Sequence, residues 1–332
     1  MKKLINDPNL VVDDMLQGIA YAHPEYLRKL DNYDVLVRKD SPIKGKVALV
    51  SGGGSGHEPA HGGYVGKGML DAAVAGAVFT SPTPDQVYEA AKAVDSGEGV
   101  LLIIKNYSGD IMNFEMAKEM AEMEGIKVDT VVVNDDVAVE NSTYTAGRRG
   151  IAGTVLVHKI AGAKAETGAS LEEVKNTAEK VIANVRSMGM ALTSCIVPAA
   201  GKPNFTLAED EMEIGMGIHG EPGTHKEKLI TADKVATQLV DKILADMKLN
   251  SNEEVAVMIN GLAATPHMEL YIINKKVSEL LNEKGIKVYK TFVGEYMTSL
   301  EMAGCSVTLL KLDQELKELL DAPADTPAFK VI

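Results

Sequence analysis

Side chains able to do chemistry stand where apolar runs give way to glycine or polar residues. Lys46–Ser51 leads into Gly52-Gly53-Gly54-Ser55-Gly56-His57. Val100–Lys105 leads into Asn106-Tyr107-Ser108-Gly109-Asp110. A third segment, Gly215-Met216-Gly217-Ile218-His219-Gly220-Glu221-Pro222-Gly223, carries a histidine among glycines. Together they offer two imidazoles, His57 and His219, one ammonium, Lys105, and one carboxylate, Asp110. An imidazole can act as nucleophile or base, a carboxylate as base, and an ammonium can neutralise developing negative charge. Glycine lets backbone amides come close to a small polar ligand, here around Gly54. Each residue also has a plainer reading. A histidine among glycines is often a turn residue. Asp110 can cap a helix over MNFEMAKEM. Lys105 can be a solvated strand end.

Three familiar motifs are approached and missed. The dinucleotide fingerprint needs glycine where His57 stands after Gly52 and Gly54. Gly66-Lys67 resembles the end of a Walker A loop, but His61 occupies the first glycine position and Gly68 the hydroxyl position. His57-Glu58-Pro59-Ala60-His61 matches H-E-x-x-H, which in zinc hydrolases lies in a continuous helix. Pro59 and the glycines on either side leave room for one helical turn at most. Asp135-Asp136 offers a magnesium reading and, more simply, a polar strand-end turn. Arg148-Arg149 can pair with surface carboxylates or dock a phosphorylated partner.

The clusters need a frame that brings strand ends together. Lys46–Ser51, Val100–Lys105 and Val128–Asn134 are apolar, β-branched runs, predicted as strands buried on both faces. Thr83-Pro84-Asp85-Gln86 and Ser170-Leu171-Glu172-Glu173 have the form of capping boxes opening helices. The second helix is expected to stop near Gly189. The alternation then restarts: a strand over 194–198, a helix over 231–247, and a strand over 254–259. A helix capped by Thr265-Pro266 and strands over 288–293 and 306–312 follow. The fold class is α/β, as two α/β domains with mainly parallel or mixed sheets covered by helices, meeting after about residue 186. Domain 1–186 then carries the glycine loop, Lys105 and Asp110, and domain 187–332 carries His219. Ligands in open α/β sheets bind beyond the carboxyl ends of the strands, where the clusters fall.

Bulk properties narrow the partners. Lys and Arg total 34 against 47 Asp and Glu, a formal charge of -13. Such a surface repels nucleic acid and anionic membranes. Cys195 and Cys305 form no CxxC pair, which suits a reducing cytoplasm. No apolar run follows Lys2-Lys3, and none is long enough to span a bilayer.

Longer motifs carry a resemblance. SGGGSGHEPAHGG (51–63), FTSPTP (79–84), LLIIKNYSGD (101–110), NDDVAV (134–139), YTAGRRG (144–150), VPAAGKPNFTL (197–207) and GMGIHGEPG (215–223) resemble the K subunit of dihydroxyacetone kinases. MKKLIND at the start and DAPADTPA near the end resemble it too. The resemblance covers essentially the whole chain. It implies that His219 adds through a ring nitrogen to the ketone carbon of dihydroxyacetone, giving a hemiaminal. It implies that Asp110 takes the proton from the attacking hydroxyl and that His57 hydrogen-bonds substrate and assists. Lys105 and the backbone at Gly54 make further substrate contacts. No cofactor is expected on this chain. ADP or ATP with magnesium belongs to a separate L subunit, recharged through a phosphocarrier from phosphoenolpyruvate. The resemblance also suggests a homodimer. The chain stops at Ile332, after the K region, and lacks a nucleotide loop, which favours the phosphoenolpyruvate-dependent type. One rival comes from the same family: K-like paralogues that sense dihydroxyacetone as transcription co-activators. A zinc hydrolase is a weaker rival, on the motif argument above.

Overall fold

An unbroken apolar run such as Val100–Lys105 can only be a strand if both its faces are covered. The computed structural model describes residues 2–142 and 144–332 and supplies that cover. Met1, the first residue of the N-terminal motif, lies outside the described residues.

The first half runs α1 (Val11–Ala22), β1 (Leu27–Lys29), β2 (Val35–Arg38), β3 (Ala48–Ser55), β4 (Ala72–Val78), α2 (Pro84–Val94), β5 (Val100–Lys105), α3 (Ser108–Met123) and β6 (Val128–Val133). Its sheet has the order β1-β2-β4-β3-β5-β6. β4, β3, β5 and β6 are parallel, and β1 and β2 add an antiparallel edge. Parallel strands deliver their carboxyl ends to one side, so Gly54 and Lys105 emerge together.

The chain continues through α4 (Thr154–Glu166), α5 (Leu171–Asn184), β7 (Val185–Ala191), β8 (Glu211–Ile214) and β9 (His225–Lys228). It ends with α6 (Ala232–Met247), β10 (Glu254–Gly261), α7 (His267–Glu283), β11 (Lys287–Gly294), β12 (Gly304–Leu312) and α8 (Gln314–Asp321), followed by two short extended segments. The second sheet has the order β11-β10-β12-β7-β8-β9, and only β10–β11 is parallel. α4 is buried almost all round. A helix with no polar face belongs between layers, and α4 packs on α5, α8 and β3. One apolar core therefore runs from Leu49 and Leu101 through Val155 and Ile160 to Met258 and Leu310. Among the described residues no helix is long and apolar enough to cross a membrane.

Four local expectations need correction. Residues 194–198 form a loop, not a strand; the strand is β7, seven residues starting at Val185. β7 lies between β12 and β8, which satisfy its backbone on both sides, whereas Cys195 is held by Asn204. Gly189 sits inside β7, and α5 stops at Asn184 without a glycine. The Arg186 guanidinium supplies the stop by donating to the orphan carbonyls of Ile182 and Ala183. Thr83 forms no capping box, because Gln86 instead accepts from the Asp34 backbone N–H. Thr265 does not cap α7; its hydroxyl donates to Gly304 O. The Ser170–Glu173 box forms as expected.

Candidate active site

β3 does not end at Ser51 but runs through the glycines to Ser55. The glycines are needed for contact. A Cβ on Gly54 would lie 2.5 Å from Thr80 N and 2.8 Å from Phe79 C. The chain then turns at Gly56 (φ 103°) and presents His57. The His57 Nδ1–H donates to Thr298 O at 2.8 Å, while Nε2 has no hydrogen-bond partner among the described residues. Burial first, then the charges of His219 and Lys105, hold the His57 imidazole well below its usual pKa. It is therefore neutral at pH 7. Phe79 stacks on it at 5.1 Å, from a backbone with φ 58° that a bulky residue rarely adopts.

Lys105 is fully buried at the end of β5, so it is not a solvated strand end. Its Nζ is 4.0 Å from Asp110 Oδ2 and has no hydrogen-bond partner among the described residues. Burial lowers its pKa against the attraction of Asp110 and Glu221. Asp110 does not cap α3. Tyr107 holds the N-cap position, and Asp110 lies in the first turn, where the helix dipole favours a carboxylate. Its Oδ1 accepts from Ser81 Oγ.

His219 stands on the loop between β8 and β9. Its Nδ1 is 2.8 Å from Glu221 Oε1, and its backbone N–H donates to Glu221 Oε2 at 2.9 Å. Burial alone would raise the Glu221 carboxyl, but the His219 imidazole and the Arg149 guanidinium bring it down to about 2. The His219 ring meets the His57 ring at 4.8 Å and the Tyr107 ring at 4.6 Å, both edge to face. Ser299 Oγ donates to Ile218 O at 2.6 Å and Asn204 Nδ2 to His219 O at 2.9 Å. A cavity of about 560 Å³ opens here, walled by Gly54, Phe79, Ser81, Tyr107, Asp110 and His219 among others. His57 and Lys105 lie just behind that wall.

The Dak1 domain profile matches residues 17–328. The chain belongs to the Dak1 family. The PTS-dependent dihydroxyacetone kinase 1, dihydroxyacetone-binding subunit, of Listeria innocua serovar 6a is 56% identical over 330 residues, 99% of this chain and 100% of that protein. The PEP-dependent dihydroxyacetone kinase, dihydroxyacetone-binding subunit, of Escherichia coli strain K12 is 48% identical over 353 residues, 99% of each. The solved structure of a dihydroxyacetone kinase operon co-activator superposes with a TM-score of 0.89 at 39% identity, covering 95% of this chain and 97% of that one.

In this Dak1 chain all five sequence-selected residues, His57, Gly54, Lys105, Asp110 and His219, fall around one cavity. The other candidates do not join them. His57 donates to Thr298 O and His61 faces His158, and among the described residues no three His, Cys, Asp or Glu side chains are grouped as metal ligands. Asp135 is occupied by the backbone N–H groups of Ile151 and Gly153. Asp136 forms a buried salt bridge to Arg149 at 2.7 Å, which replaces both the magnesium and the partner-docking readings of that pair. Arg148 pairs with Asp246, as a surface pairing predicts. Sequence reasoning missed Glu221, Ser81, Phe79 and Thr298–Leu300. A carboxylate two residues after His219 was a usable signal for Glu221. Nothing local marks Thr298 or Leu300, whose N–H donates to Gly56 O at 2.7 Å from across the chain.

Gly54→Ala tests the close approach. The added methyl meets backbone, not a movable side-chain tip, so Phe79–Thr80 must shift. A loss of about 1–3 kcal/mol in urea unfolding is expected, with weaker dihydroxyacetone binding by calorimetry. Unchanged stability and affinity would show that the glycine is not required there.

Proposed function

We propose that this chain is the dihydroxyacetone-binding subunit of a phosphoenolpyruvate-dependent dihydroxyacetone kinase, acting in the cytoplasm as a homodimer. The observation that carries this is His219 and Asp110 in the wall of one cavity, with neutral His57 and buried Lys105 directly behind. The names of its relatives in Listeria and Escherichia support the same reading.

In this reading His219 attacks the ketone carbon and holds the substrate as a hemiaminal. A three-carbon ketone has too few atoms for tight non-covalent binding, and a covalent bond also fixes its orientation. Glycerol, without a carbonyl, is rejected. Asp110 accepts the proton of the terminal hydroxyl as that oxygen attacks the phosphoryl group. Lys105 offsets negative charge beside Asp110, and His57 Nε2 accepts a hydrogen bond from the substrate. The nucleotide with its magnesium sits on an L subunit, which docks over the cavity and is recharged by a phosphocarrier. No cofactor is assigned to this chain.

The 39% identical co-activator favours a second reading, a ligand sensor without turnover. One assay separates them. The chain is mixed with an ADP-loaded L subunit, the phosphocarrier system and phosphoenolpyruvate, and dihydroxyacetone phosphate is measured. Product that requires every component supports the kinase. Ligand binding without product would establish the sensor.

A further inference from the structure

The segment between β11 and β12, residues 295–303, reaches back to the first sheet and touches both histidine loops. On one side lies the His57 loop. The Thr298 N–H donates to His57 O at 3.1 Å and the Leu300 N–H to Gly56 O at 2.7 Å. Thr298 Oγ1 donates to Glu58 O at 2.8 Å, and Thr298 O accepts from His57 Nδ1 at 2.8 Å. On the other side lies the His219 loop. Ser299 Oγ donates to the carbonyl of Ile218, the residue before His219, at 2.6 Å. Among the described residues this is the only hydrogen bond from 295–303 to 215–223. Three consecutive residues thus tie together two loops whose imidazole rings meet at 4.8 Å.

The segment is itself held from behind. Asn260, near the end of β10, is fully buried. An amide side chain can accept twice and donate twice, and here all four are used. Oδ1 accepts from the Tyr296 and Met297 N–H groups, each at 2.9 Å. Nδ2 donates to Met297 O at 2.8 Å and to Ser306 Oγ at 3.1 Å. Tyr64 OH donates to Tyr296 O from the first half of the chain. Leu300 has φ 52° and Phe79 φ 58°, a region bulky residues rarely adopt. Both lie against Gly56, where a Cβ would be 3.2 Å from Leu300 Cδ2 and 2.9 Å from Phe79 Cε1. Such backbones persist only where their surroundings over-determine them.

We propose that Ser299 is a positioning residue: backed by Asn260, it makes 296–300 a fixed spacer that sets His219 against His57. The inference rests on the covalent reading above and deepens it. Holding the ketone needs His219 alone. Turnover needs the held substrate to present its hydroxyl to Asp110 and His57 at once. A displacement of about 1 Å between such groups can slow a reaction by about a hundredfold. The spacer therefore acts on turnover and leaves capture of the ketone intact.

Ser299→Ala is the diagnostic change. It removes the one hydrogen bond to the His219 loop and adds no bulk to a fully buried position. The backbone bonds to the His57 loop stay. Carbon-13 spectra with dihydroxyacetone labelled at its ketone carbon report the adduct as a tetrahedral carbon. The nuclear Overhauser effect between the ring protons of His57 and His219 reports their spacing. Turnover is measured in the reconstituted system well below the unfolding temperature, so that lost stability alone does not change it.

The wild type is expected to show the ring-to-ring effect. Ser299→Ala is expected to weaken it and to lower kcat by about tenfold to a hundredfold. Its adduct yield and its KM for dihydroxyacetone should stay within about twofold. A kcat within that same margin would overturn the proposal. So would adduct and kcat lost together, since Ser299 would then support the His219 loop alone. If the variant fails to fold, the wild-type spectrum still decides: no ring-to-ring effect means no fixed spacing. A wild-type chain that forms no tetrahedral carbon would instead sink the covalent reading, whatever the spacing.

Discussion

His219→Ala is expected to abolish the tetrahedral adduct with dihydroxyacetone and to lower turnover in the reconstituted system by about a thousandfold or more. The reason is the size of the substrate. A ligand this small gains little from burial, and alanine leaves only hydrogen bonds from the cavity wall. His57 cannot take over. Its ring lies behind the wall of the cavity, stacked on Phe79. The fold should survive, because His219 is a loop residue whose side chain is still 12% exposed. Glu221 loses one of its two N–H donors, at a cost of about 1–3 kcal/mol. Carbon-13 spectra and coupled turnover measure the two effects. An adduct that persists in the variant would place the covalent bond on another residue.

Asp110→Asn is expected to keep the adduct and lower turnover by about 10²–10⁴-fold, with little change in KM. Asparagine is isosteric and can still accept from Ser81 through its carbonyl oxygen. It cannot take a proton from the substrate hydroxyl. It also removes the carboxylate 4.0 Å from the buried Lys105 ammonium. The adduct forms at the ketone carbon, away from the hydroxyl that is phosphorylated, so binding and turnover should separate. Turnover near the wild-type rate would remove Asp110 as the base. Loss of the adduct together with turnover would make its role structural.

Strands read from local composition were right where burial is two-sided. β5 spans Val100–Lys105 as predicted, because an apolar β-branched run has one way to satisfy its backbone and bury both faces. The failures share a cause. β7 was mistaken for the tail of a helix, since its identity depends on ladders with β8 and β12 that no local pattern reveals. Thr83 looked like a cap, but its box partner Gln86 was claimed by Asp34, fifty-two residues away.

The site divides in the same way. The amino-acid sequence by itself determined which groups are available: His57, Lys105, Asp110 and His219, each at the end of a run or on a glycine loop. It also determined the family, through motifs long enough to be specific. Tertiary structure decided what those groups are. Burial lowered the pKa of Lys105 against the pull of Asp110 and made His57 a neutral base, because desolvation depends on everything packed around a group. It moved Arg149 from a presumed surface role to the inside of the His219 loop. It also brought Thr298 to His57, across 241 positions of chain. Hydrogen-bond geometry and solvation are properties of a folded neighbourhood, and no segment of the chain carries them alone.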